Sequence, residues 1–308
     1  MRNQTNISRR NVIKLAGLLA TGMVLPDHIF ATPGQISKII PKTGEKIPAI
    51  GMGSSRTFDA IGNTELLTRL QQVTQTFFGM GGGMIDSSPM YGSAQEVIGH
   101  VLPKVTGEKN LFAATKVWVQ GREQGIKQME ESRLQWGIKR FDLMQIHNLV
   151  DWEIHLETLK QMKDEEKIRY IGITTSHGRD HNELMHILKK HDFDFVQLTY
   201  NIGSRDVESS LLSIAQDRGI AVIVNRPYQR GNLFHQVKGK ALPPWAQEFD
   251  CKTWGQYFLK FAISHPAVTC AIPATSKVKH MQDNMQAGKG RLPTKKQRTQ
   301  MIRYFESL

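Results

Sequence analysis

Short apolar runs alternate with amphipathic windows along most of the 308-residue chain. Between the runs, apolar residues recur at helical spacing, as at Leu66, Leu70, Val73 and Phe77, which is typical of helices with one buried face. SAQE at 93–96 predicts a capping box at the start of such a helix. The runs that have the pattern of buried strands are PAIGMG, GMIDSS, LFAATK, FDLMQIH, RYIGITT, FDFVQLTY, IAVIVN and VTCAIPA.

Eight strands that alternate with about eight helices in roughly 270 residues predict an α/β fold of the parallel (β/α)8 TIM-barrel type. A β-hairpin, turned by KTGEK, is expected before the first strand, and a helix is expected at the C-terminus. The alternative is an open doubly wound sheet, which favours a G-x-G-x-x-G turn after an early strand. GMGSSR and GMGGGM both lack that spacing, so the sequence favours one barrel domain over 32–308.

The N-terminal segment (1–31) has the pattern of an export signal. Arg9 and Arg10 precede an apolar stretch at 15–25, which is too short for a membrane span of about 20 residues. SRRNVIK resembles the twin-arginine address, and the small residue Ala31 fits a cleavage site. We therefore expect a periplasmic protein, carried by the twin-arginine export machinery, whose mature chain has no stable membrane span. The alternative is an amphipathic N-terminal arm with a chance arginine pair.

The formal net charge of +12 is compatible with a nucleic acid, an anionic surface or an anionic cofactor as partner. The sequence has no arginine-rich recognition helix and no interleaving of aromatic and basic residues, so we expect no nucleic-acid partner. The late basic residues form either a solvated face or part of an anion site. They are Lys277, Lys279, His280, Lys289, Arg291, Lys295, Lys296 and Arg298.

Polar residues stand where active sites form in such barrels, at the C-terminal ends of the strands. Asp86, Lys116 and His147 end three consecutive strands, and Tyr91 follows Asp86 on the next loop. An ammonium beside a phenol lowers the phenol's pKa from its ordinary value of about 10, and a carboxylate would be the ammonium's counter-ion. A neutral imidazole can donate to a carbonyl oxygen while the phenol protonates that oxygen. The set suits carbonyl reduction by a hydride that a bound cofactor supplies.

These segments resemble those of the aldo-keto reductases, from about residue 36 to the C-terminal helix. IDSSPMYGSAQEVIG is similar to their Asp-x4-Tyr-Gly-x3-Glu-x2-Gly segment, ATKVW to their catalytic-lysine strand, and LMQIHN to their catalytic-histidine strand. The resemblance implies an NADP(H)-dependent enzyme that reduces an aldehyde or ketone, or oxidises the alcohol. It implies Tyr91 as general acid–base, Lys116 and Asp86 as the pair that tunes it, and His147 as the group that orients the carbonyl. Trp118 would line the substrate pocket.

The cofactor segments match the family less closely. Gln197 corresponds to the glutamine that holds the carboxamide, but Thr175 stands where the family usually has an asparagine. Asn225 replaces the usual stacking aromatic, and Arg226 would address the pyrophosphate. AIPATSKVKHMQDN resembles the adenosine-phosphate segment, whose candidate contacts are Thr275, Ser276, Lys277, His280, Asp283 and Asn284. His280 and Ala274 replace the basic residues that commonly hold the 2′-phosphate. The resemblance favours NADP(H), with NAD(H) as the alternative.

Two other functions are compatible with the same residues. Lys116 could be the Schiff-base nucleophile of an aldolase-like lyase, although that reading does not account for Tyr91 or the tail segment. The chain could instead be a cofactor-binding sensor or regulatory subunit with weak or no catalysis, as the departures at Thr175 and Asn225 allow.

A histidine-rich segment, SHGRDHNELMHILKKH, contains His177, His181, His186 and His191. The first two are four residues apart, the spacing of two metal ligands on one helix face. No third residue with the spacing of a metal ligand accompanies them. We therefore interpret the segment as a solvated polar face and predict no metal site.

Overall fold

The computed structural model describes residues 34–308, which begin with an antiparallel hairpin. Its strands, β1 (Ser37–Ile39) and β2 (Lys46–Pro48), are in register with Ser37 opposite Pro48. Ile40 and Ile47 flank the turn and are fully buried against residues that begin the barrel strands, such as Met84 and Phe112. The hairpin therefore closes the N-terminal end of the barrel.

Eight parallel strands follow one another around the barrel in sequence order. They are β3 (Met52–Gly53), β4 (Met84–Asp86), β5 (Phe112–Val117), β6 (Phe141–His147), β7 (Ile168–Thr174), β8 (Phe195–Thr199), β9 (Ala221–Asn225) and β10 (Val268–Ala271). The first and last strands meet through the bridges Ile50–Ala271 and Gly53–Ala274, and Gly51 N donates to Ala271 O at 2.9 Å. The predicted barrel is confirmed, and the strand order excludes the doubly wound sheet, whose order reverses.

Helices alternate with the strands and pack on the outside of the barrel. They are α1 (Thr64–Gly79), α2 (Ala94–Val101), α3 (Arg122–Trp136), α4 (Trp152–Asp164), α5 (His181–Lys190), α6 (Leu211–Asp217), α7 (Asn232–Gln236), α8 (Trp254–Ile263), α9 (Val278–Ala287) and α10 (Lys295–Glu306). The helix expected at the C-terminus is α10, which Thr294 and Gln297 begin with a capping box.

The capping box predicted at Ser93 is wrong. Ser93 has φ −81° and ψ 10°, which is not the extended conformation of a capping residue, and its hydroxyl makes no cap to α2. That hydroxyl instead donates to Asp59 Oδ1 at 2.8 Å and accepts from the amide of Ala60 at 3.0 Å. The preceding Gly92 has φ +59°, and a Cβ there would lie 2.5 Å from Asp59 Cγ. The hydrogen bond between Ser93 and Asp59, which lies on another loop, thus replaces the predicted cap of α2.

Alternation along β5 explains how a lysine comes to lie inside the barrel. Phe112 and Ala114 point into the barrel interior, whereas Ala113 and Val117 pack against the outer helices. Successive strand residues face opposite sides, so Lys116 shares the inward face and lies at its C-terminal end. The same alternation places inward-facing polar side chains of the neighbouring strands beside it.

The export signal predicted for residues 1–31, with cleavage near Ala31, lies outside the described residues and stays a prediction. Within residues 34–308, no helix combines the length and apolar character that crossing a membrane requires.

Candidate active site

A buried ion pair joins the C-terminal ends of β4 and β5. Lys116 Nζ donates to Asp86 Oδ1 at 2.5 Å and to the carbonyl oxygen of Ser87 at 2.7 Å. The side chains are 0% and 2% exposed, so each charge depends on the other for stabilisation. Because the ammonium is fully buried and bonded to two oxygen atoms, the carbonyl carbon of a substrate cannot reach it. The geometry therefore disfavours the lyase reading, in which Lys116 is a free nucleophile.

Two glutamines hold the other oxygen of the Asp86 carboxylate. Gln145 Nε2 donates to Asp86 Oδ2 at 2.8 Å, and Gln197 Nε2 donates to the same oxygen at 3.0 Å. Gln197 was predicted from the family resemblance to hold a cofactor carboxamide, and its amide nitrogen is engaged in this buried network. Gln145 was not predicted, although it precedes His147 by two residues on β6 and so shares its inward face.

Tyr91 lies above the ion pair on the loop between β4 and α2, half-buried. Lys116 Nζ is 5.4 Å from the centre of its ring, and the His147 ring meets it edge-on at 6.1 Å between centroids. Burial raises the pKa of Tyr91, whereas the positive charges of Lys116 and Arg226 lower it; burial has the larger effect. Lys116 thus lowers this pKa as predicted, but burial, which was not predicted, outweighs it, so the pKa lies above its ordinary value and the phenol keeps its proton at neutral pH.

His147 is buried beside Tyr91, and its ring is oriented by a serine. Ser88 Oγ lies 3.0 Å from His147 Nδ1, and Nε2 has no hydrogen-bond partner among residues 34–308. Burial, with a smaller contribution from Lys116, lowers the pKa of His147 to about 3, so the imidazole is neutral. A serine hydroxyl that donates to Nδ1 places the ring proton on Nε2. Nε2 is then a hydrogen-bond donor for a ligand.

Ser88→Ala is expected to lower kcat about fivefold, because it removes the hydrogen bond of roughly 1 kcal/mol that selects one histidine tautomer. Steady-state kinetics measure the loss, and nitrogen-15 NMR of His147 reports the tautomer directly. The matched control is Ser87→Ala, since the Ser87 hydroxyl is equally buried but accepts from Ser54 Oγ at 2.8 Å. Equal losses in both variants, with an unchanged histidine spectrum, would contradict the role given to Ser88.

Trp118 forms a wall beside these groups. Its side chain is 42% exposed, and its ring centroid lies 6.3 Å from that of His147. The backbone of this loop is held by side chains: Trp118 N donates to Gln128 Oε1 at 2.6 Å, and His155 Nε2 lies 2.7 Å from the carbonyl oxygen of Val119. A large exposed aromatic ring on a fixed loop fits the predicted role in lining a substrate pocket.

The groups described so far lie at one end of a cleft of about 1470 Å³, larger than the cavities of typical drug-sized ligands. The predicted residues that line it are Asp86, Tyr91, Trp118, His147, Gln197, Asn225, Arg226, Thr275, Lys277, His280, Asp283 and Asn284. Lys116 lies beneath the cleft floor, and neither Thr175 nor Ser276 is part of its wall. The predicted ligand contacts of Thr175 and Ser276 are not supported. Thr175 is buried, and its carbonyl oxygen accepts from Asn225 Nδ2 at 3.0 Å.

The far end of the cleft carries an orphaned hydrogen-bond donor. Tyr228 Oη donates to Asn284 Oδ1 at 2.6 Å, which fixes the amide. Asn284 Nδ2 is buried without a partner among the described residues, so the site has an unused donor for an acceptor on a ligand. The neighbouring Asp283 accepts a hydrogen bond from Thr253 Oγ1 at 2.8 Å, so its carboxylate is bonded to the residue that begins α8.

Basic side chains accompany this donor. Lys277 and His280 line the cleft, and both are exposed. Burial and the positive charges of Lys277 and Lys279 lower the pKa of His280, which makes its imidazole a weak cation in the free protein. Lys277 is therefore the stronger ligand for a phosphate at this end of the cleft.

Within residues 34–308, no group of three His, Cys, Asp or Glu side chains is placed to hold a metal ion. His177 is hydrogen-bonded to Ser176 and to the Arg226 guanidinium, and the ring of His191 packs against that of Trp152 at 4.8 Å. These histidines are engaged separately from one another.

The model of the Aldo/keto reductase family matches residues 49–302 of the chain. The chain belongs to the aldo/keto reductase family. The resemblance inferred from the tyrosine, lysine and histidine segments is thereby confirmed, together with the enzyme class that it predicted.

Among curated members of the family, this aldo/keto reductase is 26% identical over 210 residues to the methylglyoxal reductase YeaE of Escherichia coli (strain K12). The match covers 67% of this chain and 74% of that protein. It is 24% identical over 242 residues to the aldo-keto reductase str7 of Strobilurus tenacellus, with 66% and 71% of the two chains covered.

Solved structures confirm the fold. An aldo/keto reductase from Klebsiella pneumoniae, in complex with NADP and acetate, matches with a TM-score of 0.71 at 20% identity, over 88% of this chain and 95% of that one. The glycerol dehydrogenase of Gluconobacter oxydans matches with a TM-score of 0.72 at 17% identity, over the same shares of the two chains.

Proposed function

We propose that this aldo/keto reductase reduces an aldehyde or ketone with NADPH, or oxidises the corresponding alcohol with NADP⁺. The observation that carries the proposal is the convergence of Tyr91, His147 and the Lys116–Asp86 pair at one end of a single cleft. Membership of the family supports it, as does the NADP complex of the Klebsiella pneumoniae relative.

The residues of the cleft fit a dinucleotide with an extra phosphate. At the far end, Asn284 Nδ2 is a buried unpaired donor, and Lys277 supplies a positive charge for a phosphate. Asn225, Gln197 and Arg226 line the part of the cleft nearer the phenol. When bound, the reduced nicotinamide supplies the hydride that no amino-acid side chain carries.

Tyr91 is the proton donor in the reduction. Its phenol keeps its proton at neutral pH and can transfer it to the carbonyl oxygen as negative charge develops there. The phenolate that remains faces the Lys116 ammonium, which favours the charged form. Asp86 keeps that ammonium in place and compensates its charge between turnovers.

His147 orients the carbonyl group. As a neutral imidazole with its proton on Nε2, it donates a hydrogen bond to the carbonyl oxygen without competing as an acid. Trp118 closes the adjacent side of the cleft and restricts water around the reacting carbon.

Titration of the purified protein with NADPH and with NADH, followed by nicotinamide fluorescence, tests the proposal. NADPH is expected to bind more tightly than NADH, and a panel of aldehydes and ketones that includes methylglyoxal is expected to oxidise it. Tight NADPH binding without turnover across the panel would support the sensor reading instead. If neither NADPH nor NADH binds, the cofactor assignment is overturned.

A further inference from the structure

The loop that carries Tyr91, residues 87–93, is held to the barrel at its beginning. We refer to these residues as the tyrosine loop. Lys116 Nζ donates to the carbonyl oxygen of Ser87, the first residue of the loop, at 2.7 Å. Tyr91 N then closes a turn by donating to Ser88 O at 3.1 Å. These contacts fix the chain as far as the residue that bears the phenol.

Beyond the phenol, the chain passes through a glycine. Gly92 has φ +59°, a left-handed conformation that glycine adopts without the steric cost that a side chain imposes. The same freedom makes the backbone next to Tyr91 easy to rotate, so the phenol's position depends on an attachment after Gly92. The start of α2 does not supply it through a side-chain cap, because Ser93 makes none.

A carboxylate on the loop between β3 and α1, residues 54–63, provides that attachment. Asp59 Oδ1 accepts from Ser93 N at 2.9 Å and from Ser93 Oγ at 2.8 Å. A Cβ on Gly92 would lie 2.5 Å from Asp59 Cγ, so the carboxylate packs directly against the glycine backbone. The hydrogen bonds from the Ser93 amide and hydroxyl lower the pKa of Asp59, and the carboxylate is therefore ionised and able to accept both.

Asp59 is exposed, but the backbone that carries it is firmly held. Its neighbours Phe58 and Ala60 are 0% and 3% exposed and belong to the hydrophobic core. Phe58 N donates to Ser54 O at 3.1 Å, and Ala60 N donates to Ser93 Oγ at 3.0 Å. The carboxylate is thus a fixed point to which the end of the tyrosine loop is attached.

Ser93 gives up a local role to make this contact. A serine at the start of a helix commonly accepts from one of the unpaired amides of the first turn. The Ser93 hydroxyl bonds to Asp59 instead. Departures from local preference of this kind are expected where a structure serves function. Here the departure lies two residues after Tyr91, and Asp59, Tyr91 and Gly92 all line the cleft.

We propose that Asp59 is a positioning residue for the reaction, whose hydrogen bonds to Ser93 hold the Tyr91 phenol where it meets the carbonyl oxygen. The inference rests on the proposed acid–base role of Tyr91 and adds the group that sets its geometry. Proton transfer requires the phenol within hydrogen-bond reach of the substrate oxygen, and a displacement of about 1 Å costs on the order of a hundredfold in rate. Asp59 contacts Ser93 and Gly92, so it acts through the backbone of the tyrosine loop and not on the reacting atoms.

Asp59→Ala is expected to lower kcat for carbonyl reduction roughly 10- to 100-fold, while the NADPH dissociation constant stays within about twofold of wild type. Asp59→Asn should recover most of the loss, because the amide oxygen can accept both hydrogen bonds from Ser93 without a charge. Equal losses in the two variants would show that the charge acts and not the attachment, which overturns the inference. A weakened NADPH constant with normal kcat would place Asp59 in nucleotide binding and overturns it as well.

Asp250→Ala is the matched control, because the same arrangement recurs there outside the cleft. Asp250 is exposed, and its Oδ2 accepts from Arg291 N at 2.9 Å. A Cβ on Gly290, which has φ +69°, would lie 2.6 Å from that oxygen. This variant should keep the wild-type kcat, and thermal unfolding verifies that each variant folds. A loss equal to that of Asp59→Ala would be a nonspecific effect and would count against the inference.

The Asp59→Ala/Tyr91→Phe double variant shows whether Asp59 acts through the phenol. Its kcat should equal that of Tyr91→Phe within about twofold, because a phenol that is absent cannot be misplaced. A further loss as large as that of Asp59→Ala alone would mean that Asp59 acts on another group. That result overturns the inference and leaves the reductase proposal intact, whereas full activity of the Tyr91→Phe single variant refutes the acid–base role itself.

Fluorine-19 NMR of protein labelled with 3-fluorotyrosine reports on the phenol without any turnover. The chain has six tyrosines, and comparison with Tyr91→Phe identifies the Tyr91 resonance. That resonance should shift or broaden in Asp59→Ala and should match wild type in Asp59→Asn and Asp250→Ala. An unchanged Tyr91 resonance in Asp59→Ala overturns the inference, whether or not the protein reduces a carbonyl compound.

Discussion

Tyr91→Phe is expected to lower kcat for carbonyl reduction by about a hundred- to ten-thousand-fold, the range that a positioned general acid contributes. The variant keeps the ring that meets His147 edge-on and loses only the hydroxyl. Cofactor affinity should therefore stay within about twofold of wild type, since the proton is used in the transition state and not in nucleotide binding.

Single-turnover kinetics and fluorescence titration with NADPH measure the two quantities separately. Tyr304→Phe is the matched control, because it also removes one phenol hydroxyl. Tyr304 lies on α10, away from the ion pair, and its hydroxyl donates to Ala241 O at 3.1 Å. Full activity in Tyr91→Phe would refute the acid–base role, and a parallel loss in the control would indicate a nonspecific effect.

The pH profile gives a second readout of the same residue. Burial raises the pKa of Tyr91 above its ordinary value of 10.0 in the free protein, so the phenol is protonated throughout the neutral range. Reduction requires the protonated form, and activity is therefore lost as the pH rises through the raised pKa. The alkaline limb that Tyr91 causes should be missing from the residual activity of Tyr91→Phe.

The positions of the candidate catalytic residues could be predicted because they depend on regular structure. Asp86, Lys116 and His147 each end a strand, and parallel strands bring their C-terminal ends to one face of a barrel. Strand alternation also contained the signal for Gln145, two residues before His147 on the same face. That signal was missed because an amide has no obvious chemical role until its partner is known.

Features that depend on tertiary contacts could not be predicted. Ser93 has the local pattern of a capping residue, but Asp59 of another loop takes its hydroxyl. Ser87 and Ser88 are adjacent serines that the sequence cannot tell apart, and only the folded loop determines that Ser88 is the one whose hydroxyl faces His147. Arg56, Arg179 and Arg230 also line the cleft, but they lie on loops whose conformations the strand pattern does not specify, so the sequence did not place these three arginines there.

Lys116→Met is expected to destabilise the protein by about 3–5 kcal/mol, because it leaves the Asp86 carboxylate buried without its counter-ion. Two amide donors, from Gln145 and Gln197, would remain on that carboxylate, but neither carries a charge. The same variant should lower kcat by at least about a hundredfold, because the phenolate formed on Tyr91 loses its adjacent cation. Urea unfolding and steady-state kinetics measure the two effects.

Removing both charges separates the structural role of the pair from its chemical role. The Asp86→Asn/Lys116→Met double variant should recover most of the lost stability, since replacing a whole buried ion pair is often close to neutral. Its kcat should stay as low as that of Lys116→Met, because the cation beside the phenol is still missing. Lys160→Met is the control: its ammonium donates to Glu157 Oε1 at 2.8 Å, both side chains are exposed, and exposed pairs of this kind contribute about 1 kcal/mol or less. Recovery of kcat together with stability in the double variant would show that Lys116 acts only by holding the fold, and the ammonium would then have no part in stabilising the phenolate.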